Sequence, residues 1–156
     1  MFTQCISSPN APKAIGPYSP CVKLGDFVYV SGQIPADPTT GNLVEPDIRK
    51  QTIKSLENVR ALLAEMGLEM RHIVKTTIYM TDLGEFAAMN EEYAKFFNEP
   101  YPSRACVQVA ALPKGAKVEI EAFAIDTLAY EAHAKASCGG GCCSGDTCDT
   151  CEGCAE

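Results

Sequence analysis

Two residues of opposite charge, Arg104 and Glu119, stand in the stretch Pro102–Ala124, PSRACVQVAALPKGAKVEIEAFA. A guanidinium offers a planar fork of donors that fits a carboxylate through two bonds, and it is charged at any relevant pH. A glutamate can place or deprotonate a water, its state set by burial against the pull of a neighbouring cation. Held together, the two would suit a small anionic substrate attacked by water. An ordinary cross-strand ion pair on a solvated face fits the same residues. The other chemistry-bearing group is a run of six of the nine cysteines, Cys138, Cys142, Cys143, Cys148, Cys151 and Cys154, spaced C-x3-C-C-x4-C-x2-C-x2-C.

Arg104 and Glu119 depend on the elements that carry them. Ala105–Ala111 and Val118–Ile125 read as strands, with β-branched residues at alternate positions and Pro113 and Gly115 in the break between them. Alternation puts Val107, Val109 and Ala111 on one face and Arg104, Cys106 and Gln108 on the other. In the second strand Val118, Ile120 and Ala122 oppose Glu119, Glu121 and Phe123. Paired as a hairpin with coincident apolar faces, the strands would bring Arg104 and Glu119 to one face.

Upstream, residues 1–13 read as a mobile or loosely docked polar arm. Ala14–Leu24, broken by Gly16-Pro17 and Pro20, reads as an irregular or edge strand, and Phe27–Gln33 as a regular one. Asp47 caps a helix expected to reach about Met66, with the apolar stripe Ile53, Leu56, Val59, Leu63 and Met66 and with Gly67 at its end. Ile73–Met80 is a further strand. Asp82 caps a second helix to about Phe97, striped by Phe86, Met89, Tyr93 and Phe96/Phe97. The order predicts an α+β domain, a mixed sheet with two helices on one face. The sheet's other face would then carry Phe123 and Ile125 and would need cover, which self-association supplies.

At 156 residues, 46% hydrophobic and 21% charged, the chain fits one soluble domain with an appendage. Residues 1–135 carry 13 basic and 16 acidic side chains; residues 136–156 carry four acids and no base. That balance argues against nucleic acid or an anionic membrane as partner. No apolar run reaches membrane-spanning length, and MFTQCISSPNAPK has neither the basic start nor the apolar stretch of a secretory signal. The expected location is the cytoplasm.

The string Pro102-Ser103-Arg104-Ala105-Cys106-Val107, with Leu112-Pro113 and Val118-Glu119-Ile120-Glu121-Ala122, resembles the signature of the RidA (YjgF-type) family. Ala14-Ile15-Gly16-Pro17-Tyr18-Ser19, Val30-Ser31-Gly32-Gln33-Ile34-Pro35 and Ile73-Val74-Lys75-Thr76-Thr77 match it further upstream, in the family's order. The resemblance implies a chorismate-mutase-like fold, a homotrimer with interfacial sites, and hydrolysis of 2-aminoacrylate-type enamines and 2-imino acids to 2-oxo acids and ammonia. It implies that Arg104 holds the substrate carboxylate, that Glu119 handles the attacking water, and that Tyr18 and Ser31 line the pocket. Cys106 would contact substrate through its main chain. No metal or organic cofactor is implied for catalysis. A non-enzymatic ligand-binding or redox-responsive chaperone of the same fold is the alternative, and translation inhibition or ribonuclease action, also ascribed to the family, ranks third.

Other residues read more plainly. Lys75 matches a family lysine but fits a solvent-directed strand residue. His72 and His133 read as surface and linker residues, Cys5 as an incidental thiol and Cys21 as structural. The deaminase domain is expected at residues 1–129 and a flexible acidic Cys-rich tail at 130–156. For the tail three readings stand: part of an iron–sulfur spacing, a thiolate cluster for Zn(II) or Cu(I), or unligated thiols.

Overall fold

The computed structural model describes residues 3–138. Residues up to Asp126 form one compact unit, and a second unit starts at Thr127. The first unit is built on one six-stranded sheet: β1 (Thr3–Ile6), β2 (Cys21–Leu24), β3 (Phe27–Gln33), β4 (Ile73–Met80), β5 (Ser103–Gln108) and β6 (Val118–Ile125). The order across the sheet is β1-β2-β3-β6-β4-β5, antiparallel except for the parallel β4–β5 pair. Two helices, α1 (Ile48–Ala64) and α2 (Phe86–Ala94), pack together on one face. The architecture is the α+β mixed sheet that the sequence predicts.

Each helix begins where its capping residue dictates. Asp47 accepts a bond from the Lys50 amide at 2.9 Å, satisfying one of the orphan donors of α1. Gly67, at φ 72°, turns the chain after that helix. Asp82 accepts from Gly84, in a single 3-10 turn (Leu83–Glu85) that precedes α2. The second helix stops at Ala94, short of the expected Phe97. Leu56, Val59, Leu62 and Leu63 of α1 lie on Val28, Val30, Ile120 and Ala124 of the sheet, all fully or nearly fully buried. Burial of one such side chain is worth about 1.5–3 kcal/mol. The buried face of α1 is more polar than its predicted stripe: Gln51, Thr52, Ser55 and Asn58 are buried, whereas Ile53 is half-buried.

The expected hairpin does not form. β5 and β6 are separated by β4, which pairs in parallel with one and antiparallel with the other. The break at Pro113–Gly115, with Lys114 and Gly115 at positive φ, carries the chain over the end of β4 and does not fold it back on itself. Val109 donates to the Met80 carbonyl at 2.8 Å and Thr81 to the Lys117 carbonyl at 3.1 Å along that crossing. The parallel β4–β5 pair needs a crossover, and α2 supplies it. β4 accepts partners on both edges because five of its eight residues are β-branched.

Two further expectations change. The N-terminal arm is not loose, since β1 forms the sheet's edge against β2, which makes β2 an inner strand. His72 is buried, 4% exposed, its Nδ1 accepting from the Glu69 amide at 2.9 Å ahead of β4. Residues 128–138 form a helix, α3 (Leu128–Cys138), and the rest of the tail expected at 130–156 lies outside the described residues. No helix among the described residues is long and apolar enough to cross a membrane.

Candidate active site

Alternation within each strand holds, but the faces do not coincide. Arg104 lies beside Thr76 and Cys106 beside Ile78, both buried under the helices. Glu119 lies beside Tyr79 and Glu121 beside Thr77, on the open face. Arg104 and Glu119 therefore stand on opposite faces of the sheet with β4 between their strands. The hairpin assumption is the source of the error: Val107 is 43% exposed on the open face, so β5's β-branched side is not its core side.

Arg104 emerges from the edge strand beside α2. Its Nη1 donates to Asn90 Oδ1 at 2.7 Å, and its guanidinium carbon lies 4.8 Å from the Tyr93 ring centroid and 5.6 Å from that of Phe86. Tyr93 is itself fixed by a 2.8 Å hydrogen bond between its hydroxyl and Thr76. Stacking over two rings and one amide bond leave other guanidinium donors for a ligand, in a cavity of about 490 Å³ that Tyr101 and Pro102 also line. Cys106, next along the strand on the same side, places its Sγ 3.7 Å from Met80 Sδ. Burial raises that thiol above its ordinary range although Arg104 opposes the shift, so the thiolate is scarce at neutral pH.

The second group centres on Gly32. β3 bulges between Val30 and Gln33, and a Cβ placed on Gly32 would meet Glu119 Oε1 at 1.9 Å. Only glycine lets the strand approach the carboxyl this closely. Burial, and secondarily the neighbouring Glu121, push the Glu119 carboxyl above its ordinary range. Such a group sits nearer the balance between acid and base that proton transfer at neutral pH needs. Ser31 donates to the Ser19 carbonyl at 2.7 Å and its amide to Pro20 at 3.0 Å, pinning the loop that carries Tyr18. Tyr18 is 49% exposed and, with Gly32, lines a cavity of about 300 Å³ walled by Ile15 and Ile34.

The structure thus brings Tyr18, Ser31 and Glu119 around Gly32, and places Arg104 and Cys106 elsewhere. Sequence reasoning gave no role to Gly32 or Asn90. An isolated glycine inside a strand pattern is a readable signal of close backbone approach; nothing in the sequence singles out Asn90. Lys75 is exposed and borders an open-face cavity of about 510 Å³ with Ser31 and Glu121. Cys21 is fully buried, which holds its thiol up at about 11. Among the described residues no cluster of three His, Cys, Asp or Glu side chains could hold a metal ion. Cys142, Cys143, Cys148, Cys151 and Cys154 lie outside the described residues, as does the side chain of Cys138.

Residues 8–126 match the family described as endoribonuclease L-PSP. The chain is 49% identical over 127 residues to 2-iminobutanoate/2-iminopropanoate deaminase of Salmonella typhimurium, covering 80% of this chain and 98% of that protein. It is 47% identical over 124 residues to a RutC family protein of Pyrococcus abyssi, again with 80% and 98% coverage. The crystal structure of Escherichia coli TdcF with bound serine superposes with a TM-score of 0.74 at 49% identity, over 78% of this chain and 98% of that one. The chain belongs to the endoribonuclease L-PSP family, which includes the RutC and RidA proteins.

Proposed function

We propose that this protein hydrolyses 2-imino acids and their 2-aminoacrylate-type enamine tautomers to 2-oxo acids and ammonia, at sites shared between copies of the chain. The observation that carries this reading is the split of the site. One chain holds a carboxylate-binding fork at the sheet's edge, beside α2, and a shielded carboxyl on the open face. Within one chain the two stand on opposite faces of the sheet, with β4 between their strands. A second copy laid against the open face brings its edge strand, and so its Arg104, toward the Glu119 half. Tyr29 (50% exposed), Phe27 (49%) and Phe123 cluster on that face, with ring centroids 5.0 and 6.0 Å from Phe123, and such an aromatic surface favours cover. A cyclic trimer satisfies every copy's two halves at once.

The chemistry then needs little. Arg104 holds the substrate carboxylate by its fork, with the Cys106 main chain beside it. Water adds its oxygen to the imine carbon while the C=N π pair moves to nitrogen. Glu119 takes a proton from the attacking water and delivers it to that nitrogen, which gives a carbinolamine; it then carries the hydroxyl proton to the same nitrogen as the C=O bond forms and the C–N bond breaks, and ammonia leaves. The reactant already hydrolyses in water, so placement of one water and of a carboxyl that relays its protons suffices. These steps call for no metal or organic cofactor. Support comes also from the Salmonella relative, whose name is that of an imine deaminase. RNA cleavage, which the family description suggests, fits the site poorly. Glu119 and Glu121 share the face, and the net charge of −7 repels a phosphate backbone. The test is an assay that generates 2-iminopropanoate in situ and follows its loss with and without the protein; equal rates would refute the proposal.

A further inference from the structure

The buried face of α1 carries polar side chains where an amphipathic helix would place apolar ones. Asn58 is fully buried and Gln51 is 1% exposed. A buried side-chain amide costs stability unless its donors and acceptors are met, so such residues have bonds that matter. Asn58 Nδ2 donates to the Ile34 carbonyl at 3.2 Å and to the Ala36 carbonyl at 3.0 Å, while its buried Oδ1 has no hydrogen-bond partner among the described residues. Gln51 Nε2 donates to the Val44 carbonyl at 3.3 Å, and its Oε1 accepts from the Lys117 amide at 2.9 Å.

These bonds fall close to the Gly32–Glu119 contact on both sides of it. Ile34 is two residues beyond Gly32, and Lys117 is two residues before Glu119. One helix therefore bonds the chain just beyond β3 and just before β6, on either side of the carboxyl. These bonds add to what else holds the two segments: residues 34–44 form a loop with one isolated bridge, Ala36–Leu43, and the Lys117 carbonyl accepts from Thr81. The same two segments supply Ile34, Thr40, Gly41 and Lys114 to the cavity that Tyr18 borders.

We infer that Gln51 and Asn58 are positioning residues that fix the end of β3 and the start of β6 beside Gly32, and thereby hold the Glu119 carboxyl in its water-poor seat. The inference deepens the proposed deaminase reading and rests on it for its kinetic arm alone. Without these bonds, the chain beyond β3 and before β6 relaxes outward, water reaches Glu119, and the carboxyl loses both its fixed position and its shielding. The titratable groups facing Glu119 are Glu121 on β6 and Tyr79 on β4, and these variants leave both unchanged.

The experiment follows the Glu119 carboxyl through its titration by carbon-13 NMR in wild type, Asn58→Ala and Gln51→Met, with Glu119→Gln to assign the resonance. Gln51→Met removes the acceptor for the Lys117 amide at nearly constant volume. Asn58→Ala and Gln51→Met should move the midpoint down toward the ordinary glutamate range. In parallel, kcat for 2-iminopropanoate should fall about ten- to a hundred-fold in the first two variants with KM little changed, since Arg104 is untouched. If Asn58→Ala does not fold, Gln51→Met, which spares both loop carbonyls at 34 and 36, carries the test. An unchanged Glu119 midpoint in folded variants overturns the inference whatever the activity. A shifted midpoint in a protein whose wild type is inactive upholds the inference and refutes only the deaminase reading.

Discussion

Replacement of Gly32 by alanine separates the cost to the fold from the cost to the chemistry. Gly32 does not adopt a positive φ, so alanine fits its backbone. Loss of glycine's freedom in the unfolded chain would by itself add about 0.4–1 kcal/mol of stability. The new methyl would lie 1.9 Å from Glu119 Oε1, 2.8 Å from Cδ and 3.1 Å from Cγ. Contact distances near 3 Å force the carboxyl to retreat by about 1 Å, and a misplacement of that size costs about a hundredfold in rate. That is about 3 kcal/mol of barrier, from a side-chain end that moves without disturbing the core. Gly32→Ala should therefore melt at or slightly above wild type while kcat for 2-iminopropanoate falls about a hundredfold. Differential scanning calorimetry and the coupled imine assay on the same preparation measure both. A variant with near-normal turnover would show that Glu119 is not held in place for the reaction.

Arg104→Ala and Arg104→Lys should both lose most of their activity with little change in melting temperature, because the residue sits on an exposed edge strand; lysine keeps the charge but loses the fork. Preserved turnover in both would place the carboxylate elsewhere. Cys106→Ala should keep most of its activity, and the thiol should alkylate slowly at neutral pH, since burial holds it protonated; rapid alkylation with loss of turnover would make the sulfur a nucleophile. Glu119 has a raised pKa in the fold, so the native state keeps a proton that the unfolded chain has already released. Its contribution thus falls as pH rises from the ordinary glutamate range through the raised value. Thermal melts should show Glu119→Gln gaining on wild type across that window, and parallel curves would count against a shielded carboxyl. Truncation after about Ala129 should leave assembly and imine hydrolysis unchanged, and any metal found by elemental analysis of anaerobically prepared protein should go with Cys138–Cys154; metal retained by the truncated protein would refute that division.

Much of the fold was legible because single elements announce themselves. Asp47 and Asp82 mark helix starts, Phe27–Gln33 and Ile73–Met80 alternate or concentrate β-branched residues, and Gly67 ends α1. Pairing was not legible. Val118–Ile125 follows Ser103–Gln108 after a turn-forming break, and local reasoning joins them; β4, some forty residues upstream of β6, takes the place between them. Side-chain parity within β5 and β6 was right, but parity relates strands only once their neighbours are known. That is why the Arg104 and Glu119 sides were assigned to one face when they lie on two. The arm at Thr3–Ile6 escaped notice because four half-polar residues gain strand structure only from the partner edge. The polar stripe of α1 was invisible for the complementary reason, since Gln51 and Asn58 look like solvent-facing residues until the loop and turn they bind are in place.

The sharing of one site between two chains is tested most directly by mixing two inactive variants. Arg104→Ala keeps a complete Glu119 half, and Glu119→Gln keeps a complete Arg104 half. Unfolded together in equal amounts and refolded into mixed assemblies, they should form intact sites at about one quarter of the interfaces. About a quarter of wild-type 2-iminopropanoate hydrolysis should return, with neither variant regaining activity when refolded alone. A mixture that assembles normally and stays inactive would contradict a site built from two copies.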